Sequence, residues 1–513
     1  LIYQANYYMR VKVETASITE FKCDLLVVNE FEGVKTPGGA TGAVDKALGG
    51  IISKLSREGE IDGKLGKVTL IHTQGKIPAE RVAVVGLGKR EEFGLDEVRV
   101  AASCAISLAK EVKAKKVATI VHGAGIGGLD AEEAAQATVE GSVLGGYEFE
   151  GYVSEKSKIQ NPKFKIEELI IVERDEKTVK VMEKGARIGE ITASAENRAR
   201  DLVNAPANKI TPTYLADYAK EVAKEAGLKC EILNPKEAKM EAMWAVAKGS
   251  KEEPKVVVLQ TKDQKPKNKD LVALIGKGIT FDAGGISLKP SKKLWEMKID
   301  MAGAAAMLEV MRAMSLLRNQ KLETRNQRLI AVIPLCENMP DGGATRPGDV
   351  VGSLSGKTIE IISTDAEGRM ILADAITYAK RMGATQIIDV ATLTGGCVVA
   401  LGDVASGIMG NDEKLINKIL EASKKTGEKM WRLPLYKEYK EYLKSGIADI
   451  KNCTDNGKAS PSVGGIFLQL FVEDTPWVHL DIAGTAFLDK GQGYLSEGAT
   501  GVPVRSLIEF LRS

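Results

Sequence analysis

Residues 271–300 read LVALIGKGITFDAGGISLKPSKKLWEMKID, and residues 361–370 read IISTDAEGRM. The first stretch opens on the apolar run LVALIG, which has the length and composition of a buried strand, and passes straight into Lys277 and Gly278. Asp282 follows five residues after Lys277 beside further glycines, Asp365 follows the run TIEIIS, and Asp389 follows QII. In α/β sheets ligands collect at the carboxyl ends of strands, so three strand ends offer polar groups to one place. Asp282, Asp300, Asp365 and Glu367 repel one another strongly if they are crowded together and ionised, so their proximity requires cations. Two divalent ions balance four negative charges, and such a group has the make-up of a two-metal hydrolytic site.

Working outward, the strand-like runs KVVVLQ, LVALIG, IAVIPL, TIEIIS and QIIDVATL alternate with helical stretches near 300–317, 367–382 and 411–425. Towards the N-terminus, DLLVVNE, VTLIHT, RVAVVGLG, VATIVHG and LIIVE alternate with VRVAASCAISLAKEVKA and AEEAAQATVEGSVLG. Alternation of this kind predicts an α/β chain with parallel-rich layers. At 513 residues it exceeds a single domain. Two domains are expected: a smaller N-terminal α/β domain of macro-like kind over residues 9–178, and a larger C-terminal catalytic domain over 179–513 with a mixed central sheet flanked by helices. The long helical pattern KTVKVMEKGARIGEITASAENRARDLVN, closed by Ala205-Pro206, is read as the connector between them. Residues 1–8, with three tyrosines before Met9, read as an extension or tag, and the charged TKDQKPKNKD at 261–270 reads as a loop.

Lys+Arg number 71 against 69 Asp+Glu, a net charge of +2, which removes a global electrostatic case for nucleic acid or an acidic membrane. Six scattered cysteines without a CxxC pair fit a reducing compartment. No apolar run approaches the roughly 18 residues of a membrane span, and the start lacks the order of a signal peptide, so a cytoplasmic protein is expected. Three isolated histidines without HExxH, and no GxSxG, set aside zincin and serine-hydrolase chemistry. The GxGxxG at Gly123–Gly128 follows VATIV and has Glu148 about 20 residues on, yet it lies late in the first domain, where a glycine-rich turn is the plainer reading.

The stretches GKGITFDAGGISLK, KIDMAGAAAML, CENMPDGGATRPGDV, STDAEGRM, DVATLTGG and HLDIAGTA, spread between residues 276 and 487, resemble the leucine aminopeptidases, also called cytosol aminopeptidases. The resemblance implies that one metal is held by Lys277, Asp282, Asp300 and Glu367 and a second by Asp282, Asp365 and Glu367, helped by the Asp365 carbonyl. Mn²⁺, Zn²⁺ and Mg²⁺ all suit that ligation. It implies catalytic roles for Lys289, which polarises the scissile carbonyl, and Arg369, which holds a bicarbonate that accepts a proton from water. Met297, Thr392, Ala483 and Ala486 are implied to line the pocket for a leucine-like first side chain of a peptide with a free N-terminus. It also implies a homohexamer. Some members of the family are DNA-binding regulators, so a regulator or nucleotide-binding role of the N-terminal domain is the alternative.

Plain structural readings stand beside these. Thr364 to Glu367 has the spacing of a helix capping box, and Asp300 before the Ala-rich helix is placed as an N-cap. Lys277 alone reads as a surface cation, Arg369 as a helix arginine paired to an acid, and Met297 and the alanines as core. The sequence departs from the family in having Ser363 where asparagine is usual, which is expected to retune the support of Asp365, and in the segment KASPSVGGIFLQLF.

Overall fold

The computed structural model describes residues 9–154, 157, 163–262, 270–322, 325 and 327–512. The expected extension at 1–8 and most of the expected loop at 261–270 lie outside the described residues. The chain divides into two compact units, Leu1–Ser194 with Gly491–Ser496, and Ala195–Lys490 with Glu497–Ser513. The division falls inside the 29-residue helix Glu176–Asn204. Met182, Ala186 and Ala193 of that helix belong to a core of the first unit, whereas Glu196 and Arg200 bond to Arg505 and the Ala499 carbonyl in the second.

In the first unit, β1 (Arg10–Thr15), β2 (Leu25–Glu30), β3 (Val68–His72), β4 (Arg81–Gly86), β5 (Lys116–Thr119) and β6 (Glu168–Glu173) form one sheet in the order β1-β6-β5-β2-β4-β3. Every pairing is parallel except that of β3 with β4. Successive side chains of a strand point to opposite faces. Accordingly Leu26 and Val28 pack with helices Gly39–Ala47 and Ile51–Glu58, while Leu25 and Val27 pack with helix Leu95–Glu111.

The GxGxxG is a packed turn. A Cβ at Gly123 or Gly127 would meet the Phe93 ring at 2.9 or 3.0 Å. The helix that follows, Ala131–Gly145, is capped by the carboxylate of Asp130, which accepts from the amides of Glu132 and Glu133 at 2.9 and 3.1 Å. A carboxylate at that helix start opposes a phosphate there. Glu148 pairs with Lys110 at 2.6 Å.

In the second unit, β7 (Lys229–Leu233), β8 (Lys255–Gln260), β9 (Leu271–Gly276), β10 (Gly278–Asp282), β11 (Arg328–Asn338), β12 (Val350–Val351), β13 (Ile359–Glu360), β14 (Gln386–Ala391), β15 (Ser406–Gly410), β16 (Met430–Arg432), β17 (Ile450–Lys451) and β18 (Trp477–Asp481) follow in turn. Nine of them form a mixed sheet in the order β16-β15-β18-β14-β9-β11-β8-β7, with β10 also on β11. The strands β18, β14, β9 and β11 at its centre run parallel. All six residues of β9 are buried, as an apolar run covered on both faces requires. Helices Gly368–Arg381 and Ser460–Val472 share a core with Ala273, Ile275, Ile387 and Ala391. Helix Ala302–Asn319 packs on β9, β11 and β14. Val350–Val351, Ile359–Glu360 and Ile450–Lys451 make a small separate sheet. No helix among the described residues is long and apolar enough to cross a membrane.

Candidate active site

Lys277 lies between β9 and β10, in the middle of the parallel core, and its backbone amide donates to the Val390 carbonyl of β14 at 3.0 Å. Its Nζ reaches Asp300 Oδ1 at 2.6 Å, Glu367 Oε1 at 2.8 Å and the Thr392 carbonyl at 2.9 Å. Lys289 Nζ lies 2.9 Å from Asp282 Oδ2 and 2.5 Å from Asp365 Oδ1. The four carboxylates and two lysines thus come together, each ammonium between two carboxylates. The inner set is sealed, with the Lys277 and Glu367 side chains each 3% exposed, while Asp365 at 37% and Lys289 at 22% open the cluster to solvent. One side of the site is a wall and the other is an entrance.

Ligand oxygens of Asp282, Asp365 and Glu367 lie within 4.8 Å of one another. At an effective dielectric of about 20, each such pair of charges costs on the order of 3–4 kcal/mol, so cations are needed to hold them. Burial, with Glu367 next, raises the Asp282 carboxyl to about 6. Burial also raises Asp300 and Asp365, the latter helped by Glu367. Burial disfavours the ammonium of Lys277, but Asp300, Glu367 and Asp282 outweigh it and lift its pKa; the same balance with Asp282, Glu367 and Asp365 lifts that of Lys289. For Glu367 the cost of burial is overcome by Lys277 and Lys289, and its pKa falls. Among these carboxylates the proton stays on Lys277. Among the described residues, Asp300 Oδ2 and Glu367 Oε2 are buried without a hydrogen-bond partner. Buried acceptors left open beside a carboxylate cluster suit a divalent ion.

The capping readings do not describe these residues. Helix Gly368–Arg381 starts after Glu367, whose side chain makes no capping bond, and the Thr364 hydroxyl donates to the Gly284 carbonyl at 2.6 Å. Asp300 precedes the Met301 cap of helix Ala302–Asn319, and its Oδ1 accepts from the Thr392 hydroxyl at 2.7 Å. Asp282 ends β10, and its Oδ1 accepts from the Gly284 amide at 2.9 Å. Asp389, expected at a strand end, lies within β14 and is buried, where it binds His479 Nδ1 and Trp477 Nε1, both at 2.6 Å. It is part of the core, and His479, read as isolated, is its partner.

Arg369 is buried in the first turn of its helix. Its Nη1 donates to the Asn452 carbonyl at 2.9 Å and its Nε has no partner. Burial lowers its pKa. No salt bridge to Arg369 is found among the described residues, and its unpartnered Nε leaves a buried guanidinium with a spare donor. Met297 is half-buried on the turn Leu294–Met301, and Ala486 is buried. Thr392 and Ala483 flank the Leu393–Ile482 region ordered by Asp481, which accepts from the Leu393 amide, the Thr394 hydroxyl and the Ala483 amide at 3.1, 2.7 and 3.2 Å. Gly464, in the divergent segment, lies against Arg369, where a Cβ would meet Nη2 at 3.4 Å. The Ser363 hydroxyl accepts from the Asp365 amide at 3.2 Å.

Sequence reasoning missed three residues that hold the site together. Asn338 donates to Asp282 Oδ1 at 2.8 Å and to the Thr364 carbonyl at 3.0 Å. Asn452 accepts from the Ile362 amide at 2.8 Å and donates to the Ser363 carbonyl at 2.7 Å. Asp481 is the third. Asn338, Asn452, Thr364 and Glu367 also line a small cleft with the apolar Ala245 and Met370.

A strand-end cluster of carboxylates and lysines on an α/β sheet defines a class of hydrolase. Residues 197–508 match the model of the cytosol aminopeptidase family, catalytic domain, and residues 27–156 match that family's N-terminal domain. The chain belongs to the cytosol aminopeptidase family, metal-dependent hydrolases that act at peptide N-termini. It is 44% identical over 477 residues to a probable cytosol aminopeptidase of Geotalea uraniireducens, covering 91% of this chain and 92% of that one. With a protein of the same name from Alkaliphilus oremlandii it shares 40% over 508 residues, 98% of this chain and 99% of that one. Among solved structures it is similar to the bottromycin maturation enzyme BotP in complex with Mn, at TM-score 0.82 and 35% identity, covering 96% of this chain and 99% of that one. It is also similar to a lysine-to-glutamate mutant of tomato leucine aminopeptidase, at TM-score 0.85 and 32% identity, covering 98% and 96%.

Proposed function

We propose that this chain removes leucine and other apolar residues from the free N-termini of peptides, with two divalent ions per chain held by Lys277, Asp282, Asp300, Asp365 and Glu367. The observation that carries this reading is the meeting of three carboxylate oxygens within 4.8 Å beside the open acceptors of Asp300 and Glu367. Lys277, Asp282, Asp300 and Glu367 would hold one ion and Asp282, Asp365 and Glu367 the other, and Lys277 would have to lose its proton to solvent water to offer its amine. When bound, the ions supply Lewis acidity, lowering the pKa of a water and polarising the scissile carbonyl.

Lys289, at the solvent side of the cluster, is placed to stabilise negative charge developing on the carbonyl oxygen. Arg369, with its unpartnered Nε, suits a small anion such as bicarbonate that supplies a proton acceptor. Met297, Thr392, Ala483 and Ala486 form the pocket for the first side chain, and their apolar surfaces fit a leucine preference. Mn²⁺ is the first ion to try, because the BotP structure carries Mn, with Zn²⁺ and Mg²⁺ next. A cytoplasmic homohexamer is the assembly that the family implies.

The test compares leucine amide with N-acetyl-leucine amide at saturating Mn²⁺. Hydrolysis of the first and none of the second is expected. Equal rates would mean that the site does not read a free N-terminus.

A further inference from the structure

Asn338 is the last residue of β11 and 3% exposed. Its backbone carbonyl accepts from the Ala283 amide at 2.9 Å, in a stretch where β10 shifts register between Ile279 and Asp282. Irregularities of that kind re-aim side chains beside active sites. The Asn338 Nδ2 carries two hydrogens, and both are used: one reaches Asp282 Oδ1 at 2.8 Å and the other the Thr364 carbonyl at 3.0 Å. Asp282 and Asp365 stand on segments separated by 83 positions in sequence, and this amide ties one to the residue beside the other. Around it, the Ser287 amide donates to Thr364 Oγ1 at 2.8 Å, and the Thr364 amide donates to Ser287 Oγ at 3.1 Å. No carboxylate can replace the amide, because it has no donor and would add a like charge facing Asp282.

We propose that Asn338 is a positioning residue that fixes Asp282 and the Thr364–Asp365 backbone in mutual register before any ion binds, and so sets the affinity of the site for divalent ions. This rests on the two-ion reading above and adds a role that lies outside the ligands. Groups that orient ligands typically change metal affinity or activity 10–100-fold when removed. Because Asn338 acts through the placing of Asp282 and of the Thr364–Asp365 backbone, its loss is expected to weaken ion binding, with turnover recovering in part as the ion concentration rises.

The experiment titrates Mn²⁺ into chelator-stripped parent and Asn338→Ser proteins by calorimetry, with leucine amide turnover measured across the same concentrations. Two ions per chain in the parent, a dissociation constant raised about 10-fold or more for at least one ion in the variant, and variant turnover that needs correspondingly more Mn²⁺ to reach its plateau are expected. An unchanged dissociation constant overturns the proposal, whether or not kcat falls. Uptake of no Mn²⁺ by the parent would instead overturn the two-ion reading. Hydrogen exchange on the parent alone decides the matter if the variant fails to fold. The Thr364 and Asp365 amides are expected to be as protected without Mn²⁺ as with it, and protection that appears only with Mn²⁺ overturns the proposal.

Discussion

In the proposed mechanism Lys289 carries two roles that a single substitution separates. Between Asp282 and Asp365 it offsets their repulsion, and its position at the solvent edge suits the proposed stabilisation of the carbonyl oxygen. Lys289→Ala is expected to keep both ions, bound as tightly as in the parent or more so, because an ammonium no longer competes for the same carboxylates. Its kcat on leucine amide is expected to fall on the order of 10²-fold or more. Loss of ions in that variant, by elemental analysis, would show Lys289 to be a ligand. A second buried acid behaves differently. Glu30, at the end of β2, is 4% exposed, accepts from Ser56 Oγ at 3.0 Å and leaves Oε1 unpartnered. Burial lifts it to about 7. The folded state thus holds the proton more tightly than the unfolded chain, and the stability this contributes is full below about 4.5, the unfolded value, and lost as pH rises through about 7. Glu30→Gln is therefore expected to match the parent near pH 4 and to exceed it at pH 8 by on the order of 1–3 kcal/mol. Melting curves across that range check it; a difference independent of pH would contradict it.

Between elements, the site depends on how closely helix Ala302–Asn319 approaches the sheet. A Cβ at Gly303 would meet the Val390 carbonyl at 2.1 Å, and one at Gly276 would meet the Gly303 carbonyl at 2.4 Å. The Ala304 amide donates to the Lys277 carbonyl at 2.9 Å, so the helix start and the strand end carrying Lys277 are locked together. Gly303→Ala must push backbone against backbone, with an expected cost of about 1–3 kcal/mol and a displaced Asp300. A lowered Tm together with weaker ion binding is the outcome to look for, and an unchanged Tm would mean that the helix shifts freely. The elements themselves were readable, because LVALIG, IAVIPL and QIIDVA are apolar runs of strand length and the Ala-rich segment has no competing pattern. The charged site residues were readable for a related reason: Lys277, Asp282 and Asp365 interrupt or follow apolar runs where solvent-facing charge is out of place. Asn338 and Asn452 were not readable, and Asp481, a carboxylate at the end of WVHLD, was passed over although the same signal marks it. Neutral amides at strand ends are common, and their contacts join positions 26 to 90 residues apart, which no local pattern records.

Across the whole molecule, the sequence announces an α/β chain of two units, but not where one passes to the other. Helix Glu176–Asn204 keeps its periodicity through the handover at Ser194, so composition gives no break there. The net charge of +2 agrees with a peptide-directed enzyme, whose specificity lies in one cleft and not in a charged surface. All of the proposed chemistry sits in the second unit, on a sheet whose core is formed without the site residues. Removing the ions should then abolish activity while the fold persists. The most direct measurement is ion content per chain by elemental analysis, together with leucine amide hydrolysis, before chelation, after exhaustive chelation and after readdition of Mn²⁺. The account predicts two ions per chain with activity, none without activity and an unchanged far-ultraviolet circular dichroism spectrum, and recovery of both on readdition. Full hydrolysis by protein verified to be free of ions would contradict it.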